Sequence, residues 1–149
     1  VKSKRLKTRQ VLVIAWLFTC VVFAYIAIKS HYFNKTITVN NVTVQVKIAT
    51  TSQEKTKGLC CRSSLPENSG MLFVYKNPGD YRFWMKDTKI SLDIYWIDAK
   101  KTIVHIEHAV QPDSYPQSFG TKLPAQYVLE TNAGFAKTHN IKIGDTVAF

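Results

Sequence analysis

Apolar residues recur at every second position along most of this chain, the pattern of strands with one buried face. Ile37 and Val39 alternate with threonines, and Val42, Val44, Val46 and Ile48 alternate with Thr43, Gln45 and Lys47. Asn40 and Asn41 between them tolerate positive φ, so a hairpin is predicted there. Met71 to Tyr75 reads as a short buried strand, followed by a turn over Lys76 to Asp80. The densest patterning runs from Gly70 to Asp98. Within it Tyr81, Phe83 and Met85 oppose Arg82, Trp84 and Lys86, and Leu92, Ile94 and Trp96 oppose Ser91, Asp93 and Tyr95. A turn at Asp87-Thr88 would make these two runs a central hairpin, with Phe83 opposite Leu92 and Arg82 opposite Asp93. Further strands are predicted at Thr102 to Ala109, Ala125 to Glu130 and Thr146 to Phe149.

Helix signals are few. Thr51-Ser-Gln-Glu54 has the spacing of a capping box, opening a short helix to about Cys60 with Gly58 inside it. Thr131-Asn132 can cap a two-turn helix ending near His139. Gln111 to Pro124, with three prolines and a glycine, is the longest irregular segment. The fold class expected is α+β, mainly β: a compact, small barrel-like or folded antiparallel sheet with one or two short helices, preceded by one transmembrane helix.

The transmembrane helix is placed at Val11 to Ile28, eighteen residues without a charge. As a helix these span about 27 Å, close to the ~30 Å hydrocarbon core. Eleven are Val, Leu, Ile or Phe, each favouring insertion by roughly 0.3–0.6 kcal/mol. Lys2, Lys4, Arg5, Lys7 and Arg9 precede the run, and Tyr25, Tyr32 and Phe33 lie at its far end. This places a basic tail, residues 1–10, in the cytoplasm and an extracytoplasmic β-rich domain at residues 36–149, after a linker at 29–35. A cleaved signal peptide is the rival reading, but its apolar run would be shorter, ~7–15 residues, and the small-residue step at Ala24 lies inside the run. The anchor makes the membrane the first partner.

Charge changes the picture mainly by its location. The formal net charge is +10, yet the residues after Lys29 hold fourteen cations against ten acids. Basicity is therefore a property of the N-terminal tail. A nucleic-acid-binding fold would carry it clustered on the domain, so nucleic acid is not expected as a partner.

Candidate chemistry centres on Arg82, Trp84, Lys86 and Asp93 on one face of the predicted hairpin, with Arg62, Asp87 and Glu130 as additional charged positions. An aromatic plate among cations and a carboxylate suits a polar ligand, and the first reading is a non-catalytic module binding a glycan, peptide or envelope protein. The bland alternative is that the Arg and Lys stems merely cover Trp84. A second reading is a hydrolase using two carboxylates from Asp87, Asp93 and Glu130. Cys60 and Cys61 are adjacent, can pair only through a strained ring, and are expected to be reduced. A thiol redox or metal role for them is the third reading. No CxxC or HxxxH offers metal ligands, His105 and Glu107 share one strand face where a structural histidine is the simpler reading, and no cofactor is implied.

Several blocks together resemble a known family. They are Gly58, Leu59 and Arg62; Leu65-Pro66; Gly70 to Val74 (GMLFV); Phe83 to Thr88 (FWMK-x-T); Leu92 to Ile94; Tyr127 to Glu130 (YVLE); and Ile141 with Gly144-Asp145. In this order they resemble the bacterial and archaeal family called Domain of Unknown Function 192, over roughly Val44 to Phe149. The resemblance implies a compact, mostly β fold, commonly behind a signal peptide or anchor, and no activity. The chain departs from the family pattern at Cys60, usually Met, at Asp87, usually Asn, and at Ser91, usually Pro. Its late loop reads Gln111-Pro112-Asp113, which removes a cysteine that could have partnered Cys60 or Cys61.

Overall fold

The computed structural model describes residues 12–23 and 35–149. Residues 12–23 are helical, and among the described residues no helix is long and apolar enough to cross a membrane. The expected basic tail, the ends of the expected anchor and the linker up to residue 34 lie outside the described residues. Two compact units are separated near residue 32, and the second carries the whole β domain.

The β domain is a curled seven-stranded sheet with short helices, half of a barrel. Strands β1 (Lys35–Val39) and β2 (Val42–Ala49) form the expected hairpin, pairing Val39 with Val42 around Asn40 and Asn41 at φ 46° and 66°. Helix α1 (Ser52–Lys57) follows with its capping box formed: the Thr51 hydroxyl accepts the Glu54 N–H, and the Glu54 carboxylate accepts the Thr51 N–H. Gly58 ends α1 at φ 50°, earlier than the expected stop at Cys60. The chain then crosses over to β3 (Ser69–Gly79), which lies parallel to β2. The expected turn at Lys76 to Asp80 is instead the irregular second half of β3, whose pairing with the later strand β8 (Ala125–Asn132) shifts between Val74 and Gly79.

Strand β4 (Phe83–Trp84) pairs with β7 (Ser118–Phe119), and β5 (Leu92–Ile97) pairs with β6 (Ile103–Val110) and with β8 (Ala125–Asn132). The expected central hairpin is therefore not made. Both edges of β5 are occupied by longer partners, so the segment at 81–86 lies over the sheet instead of extending it. Its predicted faces survive: Phe83 and Met85 are buried, while Arg82, Trp84 and Lys86 point outward.

Beyond β8, Thr131 and Asn132 belong to the strand and cap no helix. Helix α2 (Phe135–Thr138) is a single turn entered through Gly134 at φ 84°. Strand β9 (Val147–Ala148) pairs with β1, giving the order β6-β5-β8-β3-β2-β1-β9. The sheet's two edges meet at one end, where Thr102 bridges Thr146 and the Val147 N–H reaches the Lys101 carbonyl at 2.8 Å.

Curling gives the sheet two apolar faces. Val44, Val46, Leu72, Tyr95 and Leu129 point into the barrel, where Phe135 and Ile141 join them. On the outer face Met71, Phe73, Ile94, Trp96 and Val128 are covered by Leu59, Leu65, Phe83 and Met85. All six residues of β5 are consequently buried. Edge-to-face contacts of Phe83 with Phe73 (4.8 Å) and with Trp96 (6.0 Å) pin the covering segment, and the Trp96 indole N–H donates to the Tyr81 carbonyl at 2.7 Å.

Candidate functional site

The outer face holds a cleft of ≈ 80 Å³ between α1, β3 and the 82–88 segment. Its lining includes Lys55, Lys57, Tyr75, Arg82, Trp84, Lys86 and Glu130. Strand alternation explains the floor. Val128 and Glu130 share one side of β8, and Glu130 stands between Met71 of β3 and Ile94 of β5. This is an apolar setting for a carboxyl group, and Glu130 is only 5% exposed. Its Oε2 is buried with no hydrogen-bond partner among the described residues. Burial alone pushes its pKa from 4.5 up to about 8, so at neutral pH the group is mostly the uncharged acid.

The rim is basic and aromatic. Lys55 and Lys57 occupy the last turn of α1, where cations complement the carbonyl end of a helix. The Lys55 ammonium sits 4.2 Å from the centre of the Tyr75 ring, which stacks on Tyr81. Tyr75 is pushed up to about 12, first by burial and then by Tyr81 and Glu130. Arg82 is held in place from the late loop, donating from Nε to Ser118 Oγ at 3.0 Å and from Nη2 to the Ser118 carbonyl at 2.9 Å. Trp84 is 55% exposed and meets Tyr115 edge-on, with ring centres 6.0 Å apart.

Of the residues singled out in the sequence, Arg82, Trp84, Lys86 and Glu130 come together in this cleft. Arg62, Asp87 and Asp93 do not line it. Arg82 and Asp93, expected opposite one another, do not meet because β5 turns Asp93 to the barrel side. There its two oxygens accept the N–H groups of Ala109 (2.8 Å) and Ala136 (2.9 Å), the latter at the start of α2. Asp87 is an exposed turn residue at φ 56° whose carbonyl accepts the Cys61 N–H at 2.9 Å. Lys55, Lys57 and Tyr75 were not singled out, since their approach to Glu130 depends on the crossover from β2 to β3. The one local hint was Gly58, which lets the chain turn closely over Phe73.

Cys60 and Cys61 are joined by a disulfide, contrary to the expectation that they stay reduced. Gly58 ends α1 before the pair, so the ring does not distort the helix, and Cys61 takes up the turn at φ 69°. His105 contacts Glu107 at 3.0 Å and packs against Trp96. Among the described residues no three His, Cys, Asp or Glu side chains converge as metal ligands.

Among solved structures that resemble this fold are two bacterial proteins. A protein of unknown function from Novosphingobium aromaticivorans DSM 12444 superposes with a TM-score of 0.72 at 31% identity, covering 76% of this chain and 84% of its own. A candidate transcription regulator from Sinorhizobium meliloti 1021 gives a TM-score of 0.68 at 30% identity, covering 70% of this chain and 81% of its own. No curated protein matches. The model of the DUF192 family, described as an uncharacterized ACR, matches residues 35–149, the whole β domain, and the chain belongs to that family.

Proposed function

We propose that this DUF192 domain is a non-catalytic binding module, held at a membrane by residues 11–28, whose cleft takes a polar ligand of the cell envelope. The observation that carries the reading is the buried Glu130 carboxyl, whose Oε2 has no partner among the described residues, at the floor of a cleft rimmed by cations and aromatic rings. Buried polar groups are ordinarily hydrogen-bonded, so an orphan lining a cleft is matched by a ligand that supplies the partner. Membrane attachment is supported by the unbroken apolar run and by the exposure of Trp16, Phe18 and Phe23 on the described helical stretch.

The test is binding of envelope glycans and peptides to the full chain in lipid nanodiscs, read by isothermal titration calorimetry. Loss of a binding signal in Trp84→Ala supports the cleft. Turnover of a bound glycan would replace the module reading with an enzyme. For orientation, protease added to intact cells should digest the β domain; digestion only after lysis refutes the anchor topology.

The hydrolase reading draws its support from Glu130, whose raised pKa suits a general acid. A two-carboxylate mechanism, however, needs a second carboxyl beside it, and among the described lining residues Glu130 has none. The redox reading rests on the Cys60–Cys61 bond alone, and bonded sulfurs are not thiolate metal ligands. A regulator's DNA contacts are not carried over from the Sinorhizobium protein, because the basic excess lies chiefly ahead of the β domain.

A further inference from the structure

We propose that the cleft binds the oxyanion of an acidic saccharide, with Glu130 hydrogen-bonding the anionic oxygen, the basic rim balancing its charge, and Trp84 carrying the sugar ring. The inference rests on the binding-module reading and specifies its ligand.

Charge selects an anion. Lys55, Lys57, Arg82 and Lys86 all line the cleft, and Glu130 is the carboxyl among them. Size selects a small headgroup. A cleft of ≈ 80 Å³ has room for a carboxylate or phosphate, since about 10–15 Å³ on the same measure already holds a water, and the body of the ligand is placed against the exposed rim. Trp84, 55% exposed, lines the cleft and touches Tyr115, 44% exposed and outside the lining. The C–H face of a sugar packs on the exposed indole of Trp84 while its hydroxyls stay in water, and a carboxylate or phosphate on that ring is directed at the cleft that Trp84 lines.

An anion entering the cleft meets an acid that can donate. Burial holds Glu130 at about 8, so below that pH the group offers an O–H to the ligand and above it presents a repelling carboxylate. The charged and titratable groups around it are Lys55 and Lys57 from α1, Tyr75 from β3, and Arg82 and Lys86 from the covering segment; β5 contributes apolar Ile94. Tyr75, at about 12, stays neutral between pH 7 and 9. Affinity for the anion therefore follows the Glu130 proton.

The experiment titrates the full chain in nanodiscs with glucuronate, glucose 1-phosphate and glucose at pH 7 and pH 9. An acidic sugar should bind at pH 7 and weaken about tenfold by pH 9, as the protonated fraction of Glu130 falls about tenfold. Glu130→Gln keeps an N–H donor and should bind equally at both pH values. Lys86→Glu, altering an exposed side chain of the rim, should weaken the acidic sugars. Preference for glucuronate or for glucose 1-phosphate identifies the oxyanion as carboxylate or phosphate. Glucose binding as tightly as either acidic sugar, or a pH dependence that persists in Glu130→Gln, overturns the proposal. If a neutral saccharide alone binds and Trp84→Ala abolishes it, the module stands and this inference falls; if no saccharide binds, the inference and the glycan form of the module reading both fall.

Discussion

The carboxylate of Asp93 accepts the backbone N–H of Ala136 at 2.9 Å, tying the middle of the sheet to the first turn of α2. Its other oxygen accepts the N–H of Ala109, a non-glycine residue at φ 50°. A charge 1% exposed in an apolar strand is thus balanced by peptide dipoles. Hydrogen bonds to charged groups contribute roughly 1.5–3 kcal/mol each, so Asp93→Ala should destabilise the domain by about 3 kcal/mol or more. Because Arg82 is engaged by Ser118 on the other side of the sheet, the effects of Asp93→Ala and Arg82→Ala should add in urea denaturation. A coupling above about 0.5 kcal/mol would show that the two side chains interact after all.

The bond between Cys60 and Cys61 predicts a simple labelling pattern. Of the three cysteines only Cys20 is free. Alkylation in denaturant without reductant should therefore add one label, and prior reduction should raise the count to three. Three labels without reductant would mean that the pair is not bonded in the protein.

Features set by neighbours in sequence were legible before the structure. The Thr51/Glu54 capping box and the Asn40-Asn41 turn each need only a few consecutive residues, and both are formed. Alternation also assigned Phe83 and Met85 correctly to a buried face. It could not assign partners, because a strand's two faces say nothing about what lies along its edges. Thus β5, which reads like half of a local hairpin, is paired through Tyr95 with Leu129 and Ile106 instead. Burial of β5 on both sides also turned its Asp93 face, which resembled a surface, into barrel interior. Glu130 stood out as a carboxylate closing an apolar run, but its cleft did not, since Lys55 lies far from it in sequence and is brought near by the parallel crossover.

Gly70 of β3 is paired with Thr131 of β8. A Cβ there would run into the carbonyl oxygen of Glu130, with the side chains of Leu129 and Thr131 each at 3.4 Å. Backbone at the centre of a sheet cannot step aside as a side chain can. Gly70→Ala should therefore cost about 1–3 kcal/mol, the range for overpacking, seen as a lower urea midpoint at unchanged slope. A midpoint equal to that of the parent protein would show that the strands separate freely at this point.

Glu130 should leave its mark on the pH dependence of stability. In the folded domain its pKa is raised to about 8, against an ordinary value of 4.5. Between those values the unfolded chain has released the proton while the native state retains it, so unfolding releases a proton and stability falls as pH rises, by up to about 1.4 kcal/mol per unit. Below the lower value both states hold the proton, above the upper value both have lost it, and the contribution is level. Glu54 works in the opposite direction. Its pKa is lowered by the Thr51 and Thr50 N–H groups, so its contribution is lost as pH falls through the acid range, outside the Glu130 window. Glu130→Gln removes the ionisation and keeps the shape. Denaturant titrations of the two proteins from pH 5 to pH 8 should give a declining stability for the parent and a flatter line for the variant, with the variant the more stable at pH 8. Parallel lines across that interval would mean that Glu130 is solvated or paired in the native protein, and the cleft would then have no buried acid to offer.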